Sequence, residues 1–182
     1  MNLQVHDFVI NNRIKKNYIC INQRGNNISP KISWNIISGT ESYALILEDP
    51  DALMDGTFIH WYIPYINNDI LEINKLNHNI NLLKNNYKNS KNSNNIKLIQ
   101  GKNSLKEIGY HGPCAPNKAN HNYTFFIYSL DGKLNIDNSN ISINNHEHFE
   151  EILKNNHINI LDKDSKSFQY SYLNYYYFQR NV

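Results

Sequence analysis

The chain has 182 residues and a formal net charge of +2 at pH 7, a length typical of one domain whose core can form without cross-links. Because the charge is nearly balanced and no basic stripe runs along the sequence, a nucleic-acid-binding protein is not expected. No stretch approaches the roughly 18 apolar residues of a membrane-spanning helix, and the first residues lack the pattern of a secretory signal, so we expect a cytoplasmic protein.

Seven stretches rich in aromatic and β-branched residues predict β-strands. In chain order they are 18–23, 31–36, Ser42–Asp49, 58–65, 96–101, 122–130 and the alternating segment 167–178. Ser42–Asp49 is almost continuously apolar, which is typical of a strand that is buried on both faces. Gly25 and Pro30 mark a turn between the first two stretches.

One clear helix is predicted over residues 145–156. There Phe149, Ile152 and Leu153 share one face, while acidic residues come early and a lysine comes late, which suits an amphipathic helix and its macrodipole. A single helical turn is predicted over 104–108. Because short strands outnumber helices, the sequence predicts an all-β-dominated fold of the antiparallel β-sandwich type.

Between residues 66 and 95 the hydrophobic pattern disappears, and 77–95 is a low-complexity segment rich in asparagine and lysine. Such a segment buries too little apolar surface to offset its ordering entropy. We therefore expect an exposed, mobile loop within a single domain that spans 1–182. Asparagine, isoleucine, lysine and tyrosine have AT-rich codons, so their abundance is attributed to an AT-rich genome.

The chain has two cysteines, Cys20 and Cys114, and no CxxC motif. Two isolated cysteines are weak evidence for either a disulfide or a metal site. We expect two free thiols in a reducing compartment, which agrees with a cytoplasmic location.

Three polar clusters lie at or within predicted strands. Asp49 ends a strand ahead of Pro50, in an Asp-Pro-Asp motif that also forms simple Asx turns. His60 interrupts an apolar strand, where a histidine is more often a satisfied core residue than a ligand. His121 and Tyr123 point to the same face of their strand, because strand side chains alternate. The last pair therefore predicts the wall of a pocket.

The loop before that pair contains Gly112 and Pro113, which make it stiff and allow close approach of its backbone. One carboxylate, two imidazoles and a phenol could bind a small anion through N–H and O–H donors, with the carboxylate orienting a ring. The same set could hold a metal, because Asp49, His60 and His121 form a two-histidine, one-carboxylate triad. It could also serve acid–base catalysis.

These residues resemble the phosphatidylethanolamine-binding protein family, also called the Raf kinase inhibitor-like family. Three ordered motifs carry the resemblance: EDPDA at 48–52, HWYIP at 60–64, and IQGKNSLKEIGYHGPCAPNKANHNYTFFIYSL at 99–130. The resemblance is strong over about residues 30–130, and FEEILKNNHI at 149–158 is similar to the late helix of the family.

The resemblance implies a β-sandwich-like fold with a large central antiparallel sheet, a smaller flanking sheet and a few helices. It also implies a small surface pocket that binds anions, including phosphate and phospholipid headgroups, without enzymatic activity, metal or cofactor. The ligand-binding positions of the family fall on Asp49, His60, Gly112, Pro113, His121 and Tyr123. Asp51 is expected to fix the turn instead of contacting the ligand.

The implied partners are a phosphate-bearing small molecule, a phospholipid headgroup or a phosphorylated peptide, with a protein kinase as a regulatory partner. Neither a nucleic acid nor stable membrane insertion is expected. Two alternatives stay open. One is a metal-dependent enzyme that uses Asp49, His60 and His121, and the other is a peripheral phospholipid-binding protein that visits the membrane surface.

The sequence departs from the family pattern around the pocket. Leu53 stands where the family usually has proline, His111 occupies a position that is often small or polar, and Asn122 replaces an arginine. After Cys114, where the family usually has two prolines, this chain has Ala115 and Pro116. We expect these changes to alter the rim of the pocket, and with it the choice of ligand or the surface that meets partners.

Overall fold

The computed structural model describes residues 1–10, 13–52, 56–73, 98–115, 120–135 and 142–170. Within these ranges it contains ten β-strands, one α-helix and two short 3₁₀ helices, Lys16–Tyr18 and Ile21–Gln23. In chain order the strands are β1 (Gln4–His6), β2 (Val9–Ile10), β3 (Arg13–Ile14), β4 (Lys31–Ser33), β5 (Ser42–Asp49), β6 (Phe58–Asn67), β7 (Glu72–Ile73), β8 (Leu98–Ile99), β9 (His121–Leu130) and β10 (Ile160–Tyr170). The helix, α1, is His146–Asn155.

A five-stranded sheet in the order β10-β9-β5-β6-β8 forms the centre of the fold. Its middle strand, β5, pairs antiparallel with both β6 and β9. A smaller sheet has the order β1-β4-β7, and β2 pairs with β3. The predicted architecture, with a large antiparallel sheet, a smaller sheet and little helix, is therefore confirmed.

The middle strand of the central sheet, β5, is buried on both faces and carries apolar side chains on each. Leu45 and Leu47 belong to a hydrophobic cluster that includes residues of the small sheet; we call this side the front face. Ala44 and Ile46 belong to a second cluster, which includes Phe149 of α1; this side is the back face. All eight residues of β5 are buried, as its nearly continuous apolar run predicted.

The helix α1 starts at a carboxylate on the back face. Asn145 caps it by accepting a hydrogen bond from the backbone N–H of His148 at 2.8 Å. The Glu48 carboxylate accepts from both the backbone N–H and the ring Nδ1 of His146, at 2.9 and 2.8 Å. Burial raises the pKa of the Glu48 carboxyl, although His146 opposes this shift. The predicted helix over 145–156 is thus confirmed, and its first residue, His146, is tied to the central sheet through Glu48.

Two local predictions are wrong. The predicted strand at 18–23 is replaced by the two 3₁₀ helices. The predicted helical turn at 104–108 is a turn that closes an isolated bridge between Lys102 and Ile108. The Asn103 side chain accepts from the backbone N–H groups of two later residues there, and such local hydrogen bonds compete with helix formation.

Three other strand predictions had inaccurate boundaries. The stretch 31–36 forms a strand only over Lys31–Ser33. In the described part of the stretch 96–101, Leu98–Ile99 form a strand and the two residues after it do not. Strand β10 already begins at Ile160, ahead of the predicted 167–178. The part of that prediction beyond Tyr170 lies outside the described residues.

Cys20 and Cys114 form a disulfide between positions 94 residues apart, with their Cα atoms separated by 5.4 Å. The prediction of two free thiols is therefore wrong. Sequence separation gave no indication that the second 3₁₀ helix and the loop at 109–115 meet in space. The cytoplasmic location loses the support of free thiols and stays a prediction.

In the part of the chain that the structure describes, no helix is both long and apolar enough to cross a bilayer. The predicted loop at 77–95, Leu53 and Pro116 lie outside the described residues. The prediction of a single domain over 1–182 stays a prediction.

Candidate functional site

Asp49 is the last residue of β5 and lies on the front face, where it is 3% exposed. Its Oδ1 atom accepts a hydrogen bond from the backbone N–H of Asp51 at 2.9 Å, which is the Asx turn that the sequence suggested. Its Oδ2 atom accepts from Nδ1 of His121 at 2.7 Å. The carboxylate therefore fixes the turn and orients a histidine at the same time.

His60 reaches the front face through a β-bulge. Ile59 and Trp61 pair with consecutive residues of β5, which leaves His60 as the extra residue of β6. A bulge of this kind redirects a side chain that strict alternation would place on the other face. The ring Nδ1 donates to the carbonyl of His111 at 2.8 Å, and the N–H of His111 donates to the carbonyl of His60 at 2.8 Å. His60 is thus held by the loop that covers it.

His121 and Tyr123 lie at the start of β9, on the same face as predicted. Both are buried, with 2% and 0% exposure. Their ring centroids are 6.3 Å apart, and the Tyr123 ring lies 5.2 Å from that of His60. The Nε2 atom of His121 is buried and has no hydrogen-bond partner among the described residues. A buried polar nitrogen without a partner is uncommon in folded proteins and calls for an explanation.

The structure therefore brings Asp49, His60, His121 and Tyr123 together at one end of the front face. The Asp49 Oδ2 atom lies 2.7 Å from Nδ1 of His121 and 3.9 Å from Nε2 of His60. Three separate strands, β5, β6 and β9, supply the four side chains. Their role in binding a ligand stays a prediction.

The electrostatics of the site centre on Asp49. Burial alone raises the pKa of its carboxyl, but the approach of His60 and His121 more than offsets this, so the pKa lies below its ordinary value. The carboxylate therefore stays charged at neutral pH.

The residues 109–115, which we call the rim loop, contain Gly112 and Pro113. The N–H of Gly112 donates to the side chain of Asn27 at 2.6 Å, and the carbonyl of Pro113 accepts from the N–H of Cys20 at 3.0 Å. These two backbone groups therefore point to the segment 20–27, which includes the second 3₁₀ helix and the residues after it. They anchor the loop there, and a direct contact of either residue with a ligand stays a prediction.

Asp51 performs the turn-fixing role that was expected of it. Its Oδ2 atom accepts from both the backbone N–H and the side-chain amide of Asn122, each at 2.8 Å. Asn122, which replaces an arginine of the family pattern, thereby ties the turn after β5 to the start of β9. The neutral asparagine therefore provides hydrogen bonds to the Asp51 carboxylate without adding a positive charge.

Two aromatic rings of the site were not recognised as part of it from the sequence. The His111 ring lies 6.0 Å from that of His60 at an interplanar angle of 26°, and 6.1 Å from that of Phe58. The Phe58 ring in turn lies 4.5 Å from His60. Phe58 precedes His60 by two residues, so strand spacing was a signal for it, whereas His111 was noted only as a departure.

The donor atoms do not converge as a metal site requires. Nδ1 of His121 is used by Asp49, and Nδ1 of His60 is used by a backbone carbonyl. A metal at the remaining Nε2 atom of His121 would lie on the side of that ring away from Asp49. Among the described residues no group of three or more histidine, cysteine or acidic side chains could hold a metal ion.

A separate cavity of about 450 Å³ lies beside the site. Its lining is Gly56, Thr57, Phe58, Asn103, Ser104, Lys106, Ser142, Ile143, Asn144 and Asn145. Only Phe58 links it to the histidines. We place the candidate site at Asp49, because the buried carboxylate and imidazoles lie there and not in the cavity.

Sequence comparison identifies the family. A family model described as phosphatidylethanolamine-binding protein matches residues 4–171. The chain belongs to the phosphatidylethanolamine-binding protein (PEBP) family. The UPF0098 protein of Methanothermobacter thermautotrophicus is 34% identical over 138 residues, which are 75% of this chain and 81% of that protein. The UPF0098 protein of Chlamydia muridarum is 35% identical over 136 residues, which are 72% and 77%.

Solved structures show the same PEBP fold. A PEBP homologue from Chlamydia trachomatis has a TM-score of 0.67 and 26% identity, and covers 93% of this chain and 95% of its own. Escherichia coli YbcL, described as a new member of the mammalian PEBP family, has a TM-score of 0.72 at 20% identity, with coverage of 93% and 96%. The resemblance that the motifs carried is confirmed at the level of family and fold.

Proposed function

We propose that this PEBP-family chain is a non-enzymatic module that binds a phosphate-bearing anion at Asp49, His60, His121 and Tyr123. The observation that carries the proposal is the hydrogen bonding of the two ring nitrogens of His121. Its Nδ1 atom is fixed by Asp49, and its buried Nε2 atom has no hydrogen-bond partner among the described residues. Burying a polar nitrogen in this way is unfavourable unless a partner from outside completes it.

The arrangement suits an anion because the Nδ1 atoms of both rings are hydrogen-bonded within the protein, which leaves the Nε2 atoms to contact a ligand. His60 donates Nδ1 to a carbonyl and His121 donates Nδ1 to Asp49. When an imidazole is charged, its Nε2 atom also carries a proton, and this N–H can donate to a phosphate oxygen. The phenol of Tyr123 lies beside both rings. Asp49 therefore acts as a positioning residue, and the rings act as donors.

The affinity of such a site for a bare anion is modest. Charge-assisted hydrogen bonds contribute about 1.5–3 kcal/mol each, and association entropy opposes them. A dissociation constant of about 0.1–1 mM is expected for inorganic phosphate. A physiological ligand then needs further contacts, which a phospholipid headgroup in a membrane or a phosphorylated peptide can supply. A regulatory role in kinase signalling is part of this proposal, and the family resemblance supports it.

The binding should depend on pH. A bound anion stabilises the charged form of the imidazoles, so binding is linked to proton uptake. Affinity is therefore expected to fall as pH rises, because proton uptake by the imidazoles becomes less favourable.

Calorimetric titration with sulfate, a phosphate analogue that stays doubly charged between about pH 6 and pH 8, tests the proposal. The His121→Asn variant should lose binding. The matched control is His157→Asn, since His157 is an exposed histidine just after α1, and this variant should bind like the parent. Affinity that stays constant over this pH range, or that survives in His121→Asn, would contradict the proposal.

Two further measurements separate the alternatives. Elemental analysis of the purified protein addresses a metal-dependent enzyme, and stoichiometric zinc or iron would favour that reading. Sedimentation with vesicles that contain phosphatidylethanolamine or phosphatidylserine addresses a peripheral membrane role. Binding to vesicles that survives in His121→Asn would assign membrane contact to another surface.

A further inference from the structure

The cavity of about 450 Å³ beside the candidate site has the size of a small-molecule site, since such sites usually enclose about 300–1,000 Å³. Three separate parts of the chain form its wall. They are residues 56–58 at the start of β6, the turn at 103–106, and residues 142–145 ahead of α1. The cavity therefore depends on the tertiary fold and not on one local loop.

Hydrogen bonds fix the parts of this wall to the central sheet. The backbone N–H of Ile59 donates to Oγ of Ser104 at 2.8 Å, and the N–H of Ser104 donates to the carbonyl of Ile59 at 2.9 Å. Asn145 caps α1, and the next residue, His146, is bonded to Glu48 of β5. A ligand thus meets a wall that is already ordered, which lowers the entropy cost of binding.

The lining of the cavity is mostly polar and uncharged. Side chains that carry a hydroxyl or an amide group, both of which donate and accept hydrogen bonds, are Thr57, Asn103, Ser104, Ser142, Asn144 and Asn145. Within the described part of the chain, the side chains of Thr57, Ser142 and Asn144 form no hydrogen bond. These groups are available to a ligand that has hydroxyl groups of its own.

Lys106 is the only charged residue among the described residues that line the cavity. Its backbone has a φ of 66°, the left-handed conformation that favours glycine. The turn imposes this conformation: the N–H of Lys106 donates to the carbonyl of Asn103 at 2.9 Å, and the N–H of Asn103 donates to the carbonyl of Glu107 at 2.8 Å. A lysine held in an unfavourable conformation at the wall of a cavity indicates a function for its side chain.

We propose that this cavity is a second binding site, which takes a small polyol with one acidic group, that is, a sugar phosphate or a sugar acid. The hydroxyl groups of such a molecule match the hydroxyl and amide lining, and its acidic group matches the charge of Lys106. An apolar ligand would leave the polar lining without partners, and a cation would be repelled by Lys106.

The proposed site is independent of the anion site at Asp49. Among the described residues, only Phe58 both lines the cavity and lies against the ring of His60. Neither Asp49 nor His121 belongs to the lining. The two sites can therefore be tested separately.

Calorimetric titration with glucose 6-phosphate tests the inference. The parent protein and His121→Asn should both bind it, since His121 is not part of the cavity. Lys106→Gly should weaken this binding at least about tenfold, which corresponds to the loss of one charge-assisted contact, whereas Lys106→Arg should retain it.

Three related probes show which part of the ligand is recognised. Glucose lacks the acidic group and sulfate lacks the hydroxyl groups, so each should bind His121→Asn at least about tenfold more weakly than glucose 6-phosphate does. Gluconate distinguishes the two sources of the acidic group. Binding of gluconate as tight as that of glucose 6-phosphate would assign the preference to any acidic sugar, and weaker binding would assign it to sugar phosphates.

The variants at Lys106 separate binding from folding. Glycine adopts a positive φ without strain, so Lys106→Gly should keep the thermal midpoint of the parent and its affinity for sulfate at the Asp49 site. Lys106→Asn is a second variant for the same test, because asparagine also tolerates the left-handed conformation. The matched control is Lys154→Asn, at an exposed lysine of α1 outside the lining, and it should bind glucose 6-phosphate like the parent.

The outcomes separate this inference from the proposed function. Glucose 6-phosphate that does not bind the parent, or that binds Lys106→Gly as tightly as the parent, would overturn the inference. Binding that is lost in His121→Asn but kept in Lys106→Gly would place the sugar phosphate at the Asp49 site, so the inference would be wrong and the anion-binding function would stand. If the parent binds glucose 6-phosphate through Lys106 but does not bind sulfate, the proposed function is wrong and the second site stands.

Discussion

Breaking the Cys20–Cys114 disulfide should destabilise this protein strongly, because the bond closes a long loop. The two residues are 94 positions apart. In the chain-entropy model a cross-link that closes a loop of this length raises the free energy of the unfolded chain by about 4.7 kcal/mol. Removing a native disulfide typically costs about 2–5 kcal/mol of stability. With a urea dependence of about 2.5 kcal/mol per molar, a loss of about 4.7 kcal/mol lowers the midpoint of unfolding by about 2 M.

The assay is urea denaturation with and without a thiol reductant, followed by tryptophan fluorescence. Trp34 and Trp61 are both buried, with 4% and 0% exposure, so their emission reports on the core. The double variant Cys20→Ala/Cys114→Ala is the control. It should match the reduced parent, since the sequence has no other cysteine.

Two results would refute this reasoning. One is a shift of the midpoint below about 0.5 M, which corresponds to only about 1 kcal/mol at this urea dependence. The other is the detection of two reactive thiols in the native, unreduced protein, since this would restore the free thiols expected from the sequence.

Three further predictions concern single residues. Asp49→Asn should lower the free energy of unfolding at neutral pH by about 1.5–3 kcal/mol. Because folding lowers the pKa of the Asp49 carboxyl, the stabilisation by this carboxylate is lost as pH falls below about 4. The unfolding curves of parent and variant should therefore converge at low pH. Gly112→Ala should destabilise by about 3 kcal/mol or more, since the added Cβ would lie 2.3 Å from the backbone oxygen of Tyr18, and an unchanged thermal midpoint would contradict this contact. Phe149→Ala should lower the free energy of unfolding by about 3–5 kcal/mol, because the Phe149 side chain is fully buried. The control Glu151→Ala, at an exposed position of the same helix, should change it by less than about 0.5 kcal/mol. Equal effects of the two variants in denaturant titrations would argue against the back-face core.

The strands that carry the site could be predicted because their signals are local. β5, β6 and β9 are dense in apolar and aromatic residues, and such runs form buried strands in most contexts. His121 and Tyr123 lie at the start of β9, so side-chain alternation alone predicted that they share a face, and Asp49 was recognised as the end of a strand. The family motifs then connected these strand ends, and the structure agrees with that connection.

The face of His60 could not be predicted from alternation. Trp61 points to the front face, so a regular strand would put His60 on the back face. Only the bulge in β6, which depends on its pairing with β5, brings the imidazole beside Asp49. A bulge is a property of two paired strands, and a single strand sequence does not reveal it.

The segments whose structure depends on distant contacts were also missed. The 3₁₀ residues 16–23 are shaped by the rim loop, to which Cys20 and Gln23 are tied by hydrogen bonds and a disulfide. Among the described strands, β10 pairs only with β9 at the edge of the sheet, and it is mostly exposed. An edge strand with many lysine, aspartate and serine residues lacks the apolar pattern by which strands are recognised.

The most direct test of the site follows the histidine side chains by ¹⁵N NMR while inorganic phosphate is added near pH 6.5. Assignment uses the single histidine-to-asparagine variants. We expect the Nε2 signals of His60 and His121 to shift together and saturate with one dissociation constant, while those of the exposed His157 stay in place. Signals of His60 and His121 that do not move at saturating phosphate would contradict the account.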